Sequence, residues 1–122
     1  MIKYSENHTW VKQVGDNWRC GITAYIKAKL GKLVHVEMPL VGNVFQRGEV
    51  VVILESSKSA IEVCSPCEGQ VTAINNTIVN DVHLLNEQPE DLGWLFELNS
   101  LNVSEIENLL SLESYNEMIQ ED

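Results

Sequence analysis

The sequence predicts a mainly β fold, a sandwich or barrel trimmed with short helices. Three observations carry that reading. Apolar residues fall in short β-branched and aromatic runs, several alternating with polar residues. Gly, Pro or Asn interrupts those runs at short intervals. Two short helices are expected only in the tail, residues 103–122, besides one brief internal stretch. A chain of 122 residues has room for one domain and one core. A hydrophobic content of 44% can fill that core, which excludes wholesale disorder.

The first run, His8-Thr9-Trp10-Val11-Lys12-Gln13-Val14, alternates, with Trp10 and Lys12 on one face and Val11 and Gln13 on the other. Gly15-Asp16-Asn17 supplies a turn, and residues 18–22 return as a strand. Residues 23–31 read as a short helix. Thr23 caps its start, Lys27 and Lys29 suit the negative end of its dipole, and Gly31 can end it in the left-handed conformation. Residues 33–38 form a strand limited by Pro39. The stretch 50–55 is the strongest strand signal, β-branched and continuous, and so is expected to be buried on both faces. Ser56-Ser57-Lys58-Ser59 breaks it, and 60–64 resumes an extended pattern, so the two runs form a hairpin with Lys58 at its tip. Residues 70–74 are a further strand, followed by a turn at Asn75-Asn76. Leu84-Leu85-Asn86 and the run 94–98 bracket a loop containing Pro89 and Gly93. In the tail, Ser104 with Glu107 and Ser114 with Glu117 fit capping boxes, which predicts two closing helices.

Charge narrows the function. The net charge is −10, which argues against nucleic acid and against an anionic membrane surface. All eight Lys and Arg lie in residues 1–58, and 13 of the 18 acids lie beyond them. The acidic tail is expected to be solvated, aiding solubility or steering a basic partner. The longest apolar run, 50–54, cannot span a bilayer, and residues 1–8 contain no apolar segment of a secretory signal, so a cytoplasmic location is expected. Three cysteines cannot all pair within one chain, and free buried thiols are expected. Cys64-Ser65-Pro66-Cys67 lacks a second ligand pair at metal-like spacing and the helix start of a redox motif, so no metal site is expected. Paired carboxylates, a nucleophile with its base and a phosphate loop are missing, so no catalytic residue is assigned.

One segment invites chemistry: Glu55-Ser56-Ser57-Lys58-Ser59-Ala60-Ile61-Glu62. A lysine on a hairpin tip is held by its backbone while its four-carbon stem stays mobile. Small neighbours at Ser56, Ser57 and Ser59 leave room for an enzyme to acylate the amine, which removes its charge.

The same segment, with several others, resembles the glycine cleavage H-protein family of lipoyl carriers. Lys3-Tyr4, His8, Trp10 and Val11 resemble its K-Y-x-x-x-H-x-W-V, and Gly21-Ile22-Thr23-Ala24-Tyr25 its G-I-T-x-Y/H. Leu30-Gly31, Val34, Val36-Glu37, Pro39 and Gly42 resemble L-G-x-I/V-V-x-V-E-L-P-x-x-G. Glu55-Ser56-Ser57-Lys58-Ser59-Ala60 resembles the lipoyl site E-S-V-K-A/S-A/T, and Ser65-Pro66, Gly69 and Val71 resemble S-P-x-S-G-x-V. Leu84-Leu85-Asn86, Pro89 and Gly93-Trp94 follow in register. The resemblance covers about residues 3–118.

It implies a single domain over 1–122, a lipoyl/biotinyl-type sandwich (a barrel-sandwich hybrid) of two small sheets, with lipoate in amide linkage on Lys58. A lipoyl transferase or ligase would attach it. Glycine decarboxylase would load the arm, a folate-dependent aminomethyltransferase would unload it, and dihydrolipoyl dehydrogenase would reoxidise it. The carrier itself catalyses none of these steps and is expected to be a monomer. Thr9, Ile22, Lys29, Leu30 and Glu62 map to the cleft that shelters the loaded arm. Departures fall at Thr9, where the family often has Glu; at Ser57, usually Val; at Glu97, usually Lys; and at Val82-His83, where a Pro is displaced. Biotin is the chemical rival, but its sites carry Met on both sides of the lysine, where this chain has serine. Two further readings remain open at this point. Thr9 and Glu97 together suggest a lipoyl carrier outside glycine cleavage, relaying lipoate or serving another redox partner. A buried or ion-paired Lys58 would instead mark an unmodified β-sandwich interaction module.

Overall fold

The computed structural model describes residues 2–121. Its first sheet starts at the N-terminus. Strand β1 (Ile2–Tyr4) pairs with β2 (Thr9–Val14), and β2 pairs with β3 (Asn17–Ile22) in the antiparallel register Trp10↔Gly21 and Val11↔Cys20. The turn between β2 and β3 is only Gly15-Asp16. Gly15 has φ +62° while Asp16 stays at negative φ, the pattern of a two-residue II′ hairpin. Strands β5 (Val44–Phe45), β8 (Gly69–Ile74) and β9 (Phe96–Ser100) complete a six-stranded sheet ordered β1-β2-β3-β9-β8-β5. The second sheet is β4 (Leu33–Glu37), β6 (Val50–Ser56) and β7 (Ala60–Cys64), with β6 central. The expected two-sheet sandwich is therefore present, with unequal sheets.

The core lies between the sheets. Val11, Cys20, Val71, Phe96 and Leu98 come from the larger sheet, and Leu33, Val36, Val52, Leu54 and Val63 from the smaller. A second cluster of Tyr4, Trp10 and Tyr115 covers the outer face of the β1–β2 end. Neighbours along a strand point to opposite faces. Val11 thus enters the main core while Trp10 enters the second cluster, and Lys12, farther along Trp10's face, is exposed.

Five helices fill the connections among the described residues. The first, α1 (Ala24–Leu30), has the expected caps: Thr23 accepts from the Ile26 N–H, and Gly31 has φ +74°. The others are α2 (Asn76–Asn80), α3 (His83–Glu87), α4 (Val103–Glu107) and α5 (Leu112–Gln120).

Several expectations need correction. The run 50–55 is not buried on both faces: Val50 is 37% exposed and Ile53 is half-buried. The smaller sheet has only one covered face, and a register shift between Val50 and Val52 buries Val51 and Val52 in succession. The Asn75-Asn76 turn opens a helix, because Ile78 drops into the core, and Leu84-Leu85-Asn86 is helical around buried Leu85. The run 94–98 becomes strand only at Phe96. Neither capping box is used. Asn102 precedes α4, and Ser111 caps α5 by accepting from the Ser114 N–H at 3.1 Å, one turn earlier than the sequence suggested. The tail is less solvated than expected: Tyr115 is buried, and Glu105 accepts from the Glu68 N–H at 2.8 Å. Glu107, Glu113, Glu117 and Glu121 are exposed, and Asp122 lies outside the described residues.

Candidate functional site: the β6–β7 hairpin

The last strand pair of the hairpin is Glu55↔Ala60, and the Ser56 N–H donates to the Ser59 carbonyl at 2.9 Å. That closes a tight loop over residues 57–59, all exposed. The Ser56 hydroxyl organises it. Its oxygen accepts from the N–H groups of Lys58 and Ser59, each at 3.2 Å, and lies 3.4 Å from the Ser59 carbonyl. Serine is suited to this task, since its short side chain folds back onto nearby backbone donors. The backbone of Lys58 is thereby oriented while its side chain stays outside the fold.

Arg19 pairs with Glu97, and His83 Nε2 lies 3.1 Å from Glu87 Oε1; Lys58 takes part in neither contact. The lysine is thus neither buried nor salt-bridged, which removes the condition set for an unmodified interaction module. An exposed amine between two serines fits an acyl group in amide linkage, because nothing must be displaced to form the bond.

A neighbouring strand holds the loop end of the hairpin. Leu33 of β4 pairs with Ser56, and on its free side its backbone is clamped by the Asn86 side chain. The Leu33 N–H donates to Asn86 Oδ1, and Asn86 Nδ2 donates back to the Leu33 carbonyl, both at 2.9 Å. An amide has a donor and an acceptor side by side, so it can replace the strand that β4 lacks at this edge. Beside this clamp lies an open hollow of about 770 Å³ between the end of α1 (Lys27, Gly31, Lys32) and α2–α3 (Asp81, His83, Glu87).

The five cleft residues are partly brought together. Thr9 and Ile22 face each other across β2–β3, and both are buried. Lys29 is exposed and Leu30 half-buried at the end of α1. Glu62 is exposed on β7, in the other sheet. None of the five lines the hollow. Thr9 sits in a tight turn, its N–H donating to Ser5 Oγ at 3.1 Å and its carbonyl accepting from the Ser5 N–H at 2.8 Å. Glu97 is engaged internally: its carboxylate accepts from Arg19 at 2.8 Å, and the Arg19 guanidinium lies 4.4 Å from the Trp94 ring centre. Two motif glycines have steric reasons. A Cβ on Gly21 would fall 2.7 Å from the Trp10 indole nitrogen, and one on Gly93 would fall 2.7 Å from the carbonyls of Gln88 and Leu84. The Trp10 indole, lying over Gly21, donates to the Pro89 carbonyl at 2.8 Å.

The cysteines are free thiols. Burial pushes the Cys20 thiol well up and the Cys67 thiol up to about 11, so both stay protonated near neutral pH. Among the described residues no group of three or more His, Cys, Asp or Glu is arranged to hold a metal ion, and no helix is long and apolar enough to cross a membrane.

Sequence reasoning missed the Asn86 clamp and the roles of Ser56 and Tyr115. Ser56 was legible as a residue that favours turns; the others act across long separations.

Known proteins resemble this chain along its whole length. A glycine cleavage H-protein family model matches residues 2–122. A glycine cleavage system H protein of Bacillus licheniformis is 37% identical over 121 residues, covering 99% of this chain and 95% of its own. Its counterpart from Thermus thermophilus is 34% identical over 117 residues, covering 96% and 91%. The crystal structure of a glycine cleavage system H protein from Mycobacterium marinum superposes with a TM-score of 0.87 at 28% identity, covering 98% of this chain and 96% of that one. With its two-sheet frame and exposed hairpin lysine, the chain belongs to the glycine cleavage H-protein family.

Proposed function

We propose that the chain carries lipoate in amide linkage on Lys58 and serves glycine cleavage as its mobile carrier. The observation that carries this reading is the placement of Lys58, exposed on a three-residue loop that Ser56 orders. A lipoyl transferase or ligase needs a reachable amine on a rigid base, and the loop supplies both. When bound, lipoate supplies a redox-active disulfide and a thiol able to hold a one-carbon fragment.

The chain's own residues contribute position and not catalysis. β6 and β7 anchor the arm's root, so each partner enzyme meets the cofactor at a high effective concentration. Ser57 and Ser59 keep the approach open, and Glu55 stands at the last strand pair. Lys29, Leu30 and Glu62 form the outer wall of the arm cleft, with Thr9 and Ile22 as its buried backing. The partners are glycine decarboxylase, aminomethyltransferase and dihydrolipoyl dehydrogenase, met by a cytoplasmic monomer.

The test is the intact mass of the protein from its own host, with peptide mapping over residues 48–70. A lipoyl increment on Lys58 is expected. An unmodified Lys58, in cells whose other lipoyl proteins are loaded, would overturn the reading.

A further inference from the structure

Helix α1 bears the Lys29–Leu30 end of the proposed cleft, yet it is weakly held by its own packing. It has seven residues, none fully buried, and a helix of that length does not sustain itself. Ile26 and Leu30 are only half-buried against the core. Hydrogen bonds fix its start. The Thr23 N–H donates to the His8 carbonyl at 3.0 Å, and the Ala24 N–H donates to the Glu90 carboxylate at 2.6 Å. The capping oxygen, Thr23 Oγ1, is 2.7 Å from the hydroxyl of Tyr115 on α5.

Tyr115 is well placed to be a fixed post. It is 3% exposed, its ring stacks on Tyr4 at 4.9 Å, and its hydroxyl is also 2.8 Å from His8 Nδ1. One arrangement of hydrogens satisfies every group. The Ile26 N–H donates to Thr23 Oγ1, the Thr23 hydroxyl to Tyr115, and the Tyr115 hydroxyl to His8 Nδ1. Each hydroxyl then gives one hydrogen bond and receives one. The chain links α5 to the cap of α1 and to the residue beside Thr9.

We propose that Tyr115 is a positioning residue: through its hydroxyl, the C-terminal helix sets the placement of α1, and with it the shelter given to the arm. The consequence at the arm rests on the proposed function; the hold on α1 is a property of the bare chain. The bonds to the His8 carbonyl and to Glu90 survive loss of the hydroxyl, so α1 loosens without the fold coming apart.

Tyr115→Phe keeps the ring and its stacking and removes both hydrogen bonds. Amide hydrogen exchange is followed by mass spectrometry well below the melting temperature, in the bare and in the lipoylated chain. Exchange over residues 24–31 is expected to rise about three- to tenfold, the worth of roughly one hydrogen bond, while residues 50–64 keep their rates. In the aminomethyl-loaded chain, hydrolytic release of formaldehyde and ammonia from the arm should be faster by a similar factor. Unchanged exchange in α1, a rise shared by the whole chain, or an unchanged rate of that release would each overturn the proposal. Absence of lipoate from Lys58 shows in the mass and strikes the carrier role alone, and exchange in the bare chain still decides the hold on α1.

Discussion

At the hairpin tip, residues 57–59 turn in solvent and one serine hydroxyl orders them. At the seam where α5 meets β1, Tyr4, Trp10 and Tyr115 are buried in one cluster; Tyr115 stacks on Tyr4, and its hydroxyl meets His8 and Thr23. The tip presents the amine, and the seam holds the frame that presents it. A lysine that another enzyme must enter, modify and leave cannot be packed, so the tip is built from small residues and local hydrogen bonds. The hairpin is rooted by β4 and the main core, and the large rings close the outer face of the other sheet. Substitutions in the two regions should therefore separate function from stability.

The largest effect is expected at the tip. Lys58→Arg keeps charge and approximate size but cannot form the lipoyl amide. Carrier activity in a reconstituted glycine-cleavage assay should vanish while the melting temperature stays put. Residual carriage would show that the arm is rooted elsewhere. At the seam, Trp10→Ala empties the space over Gly21 and leaves the Pro89 carbonyl without its donor. A loss of about 3–5 kcal/mol in urea unfolding is expected, with lipoylation of the folded fraction unchanged. A smaller loss would mean that α5 collapses into the gap.

Alkaline pH probes the interior in the same spirit. Burial raises the Cys67 thiol from 9.0 to about 11, and Cys20, Tyr4 and Tyr115 move in the same direction. The folded chain therefore holds these protons more tightly than the unfolded chain. For Cys67 the stability so contributed is complete below pH 9 and is lost as pH climbs through 11, by about 2 kcal/mol. A urea midpoint that stays flat from pH 8 to 11 would contradict this. The smallest effect belongs to Ser56→Ala. The loop's N–H groups can turn to water, so the cost should be only about 0.5–1 kcal/mol. The rate of lipoylation should still fall a few-fold, because the backbone of Lys58 is no longer set. A stability loss as large as that of Trp10→Ala would erase the distinction between tip and seam.

The same division explains what could be read in the sequence. The hairpins 9–22 and 50–64 were legible because each is a local exchange of strand, turn and strand. Helix α1 was legible from Thr23 and Gly31, which act within the element they bound. Helices α2 and α3 were not, since five residues with one buried side chain each, Ile78 and Leu85, give no period to detect. The start of α5 was misplaced because Ser111 and Ser114 are both serines that can cap, and the choice between them depends on where Tyr115 must point. Lys58 stood out through its immediate neighbours. Asn86 clamps a strand 53 residues away, and Tyr115 reaches partners 92 and 107 residues away, distances at which no local pattern survives.

The backbone bridge between Tyr4 and Leu110 has a consequence for synthesis. The first strand is made more than a hundred residues before its partner in this bridge, Leu110, and the ring that covers it, Tyr115. Until then Tyr4 and Trp10 present bare aromatic surface. A chain that still lacks residues 110–115 is thus marked as unfinished by this bare aromatic surface, and the arrival of Tyr115 hides the mark.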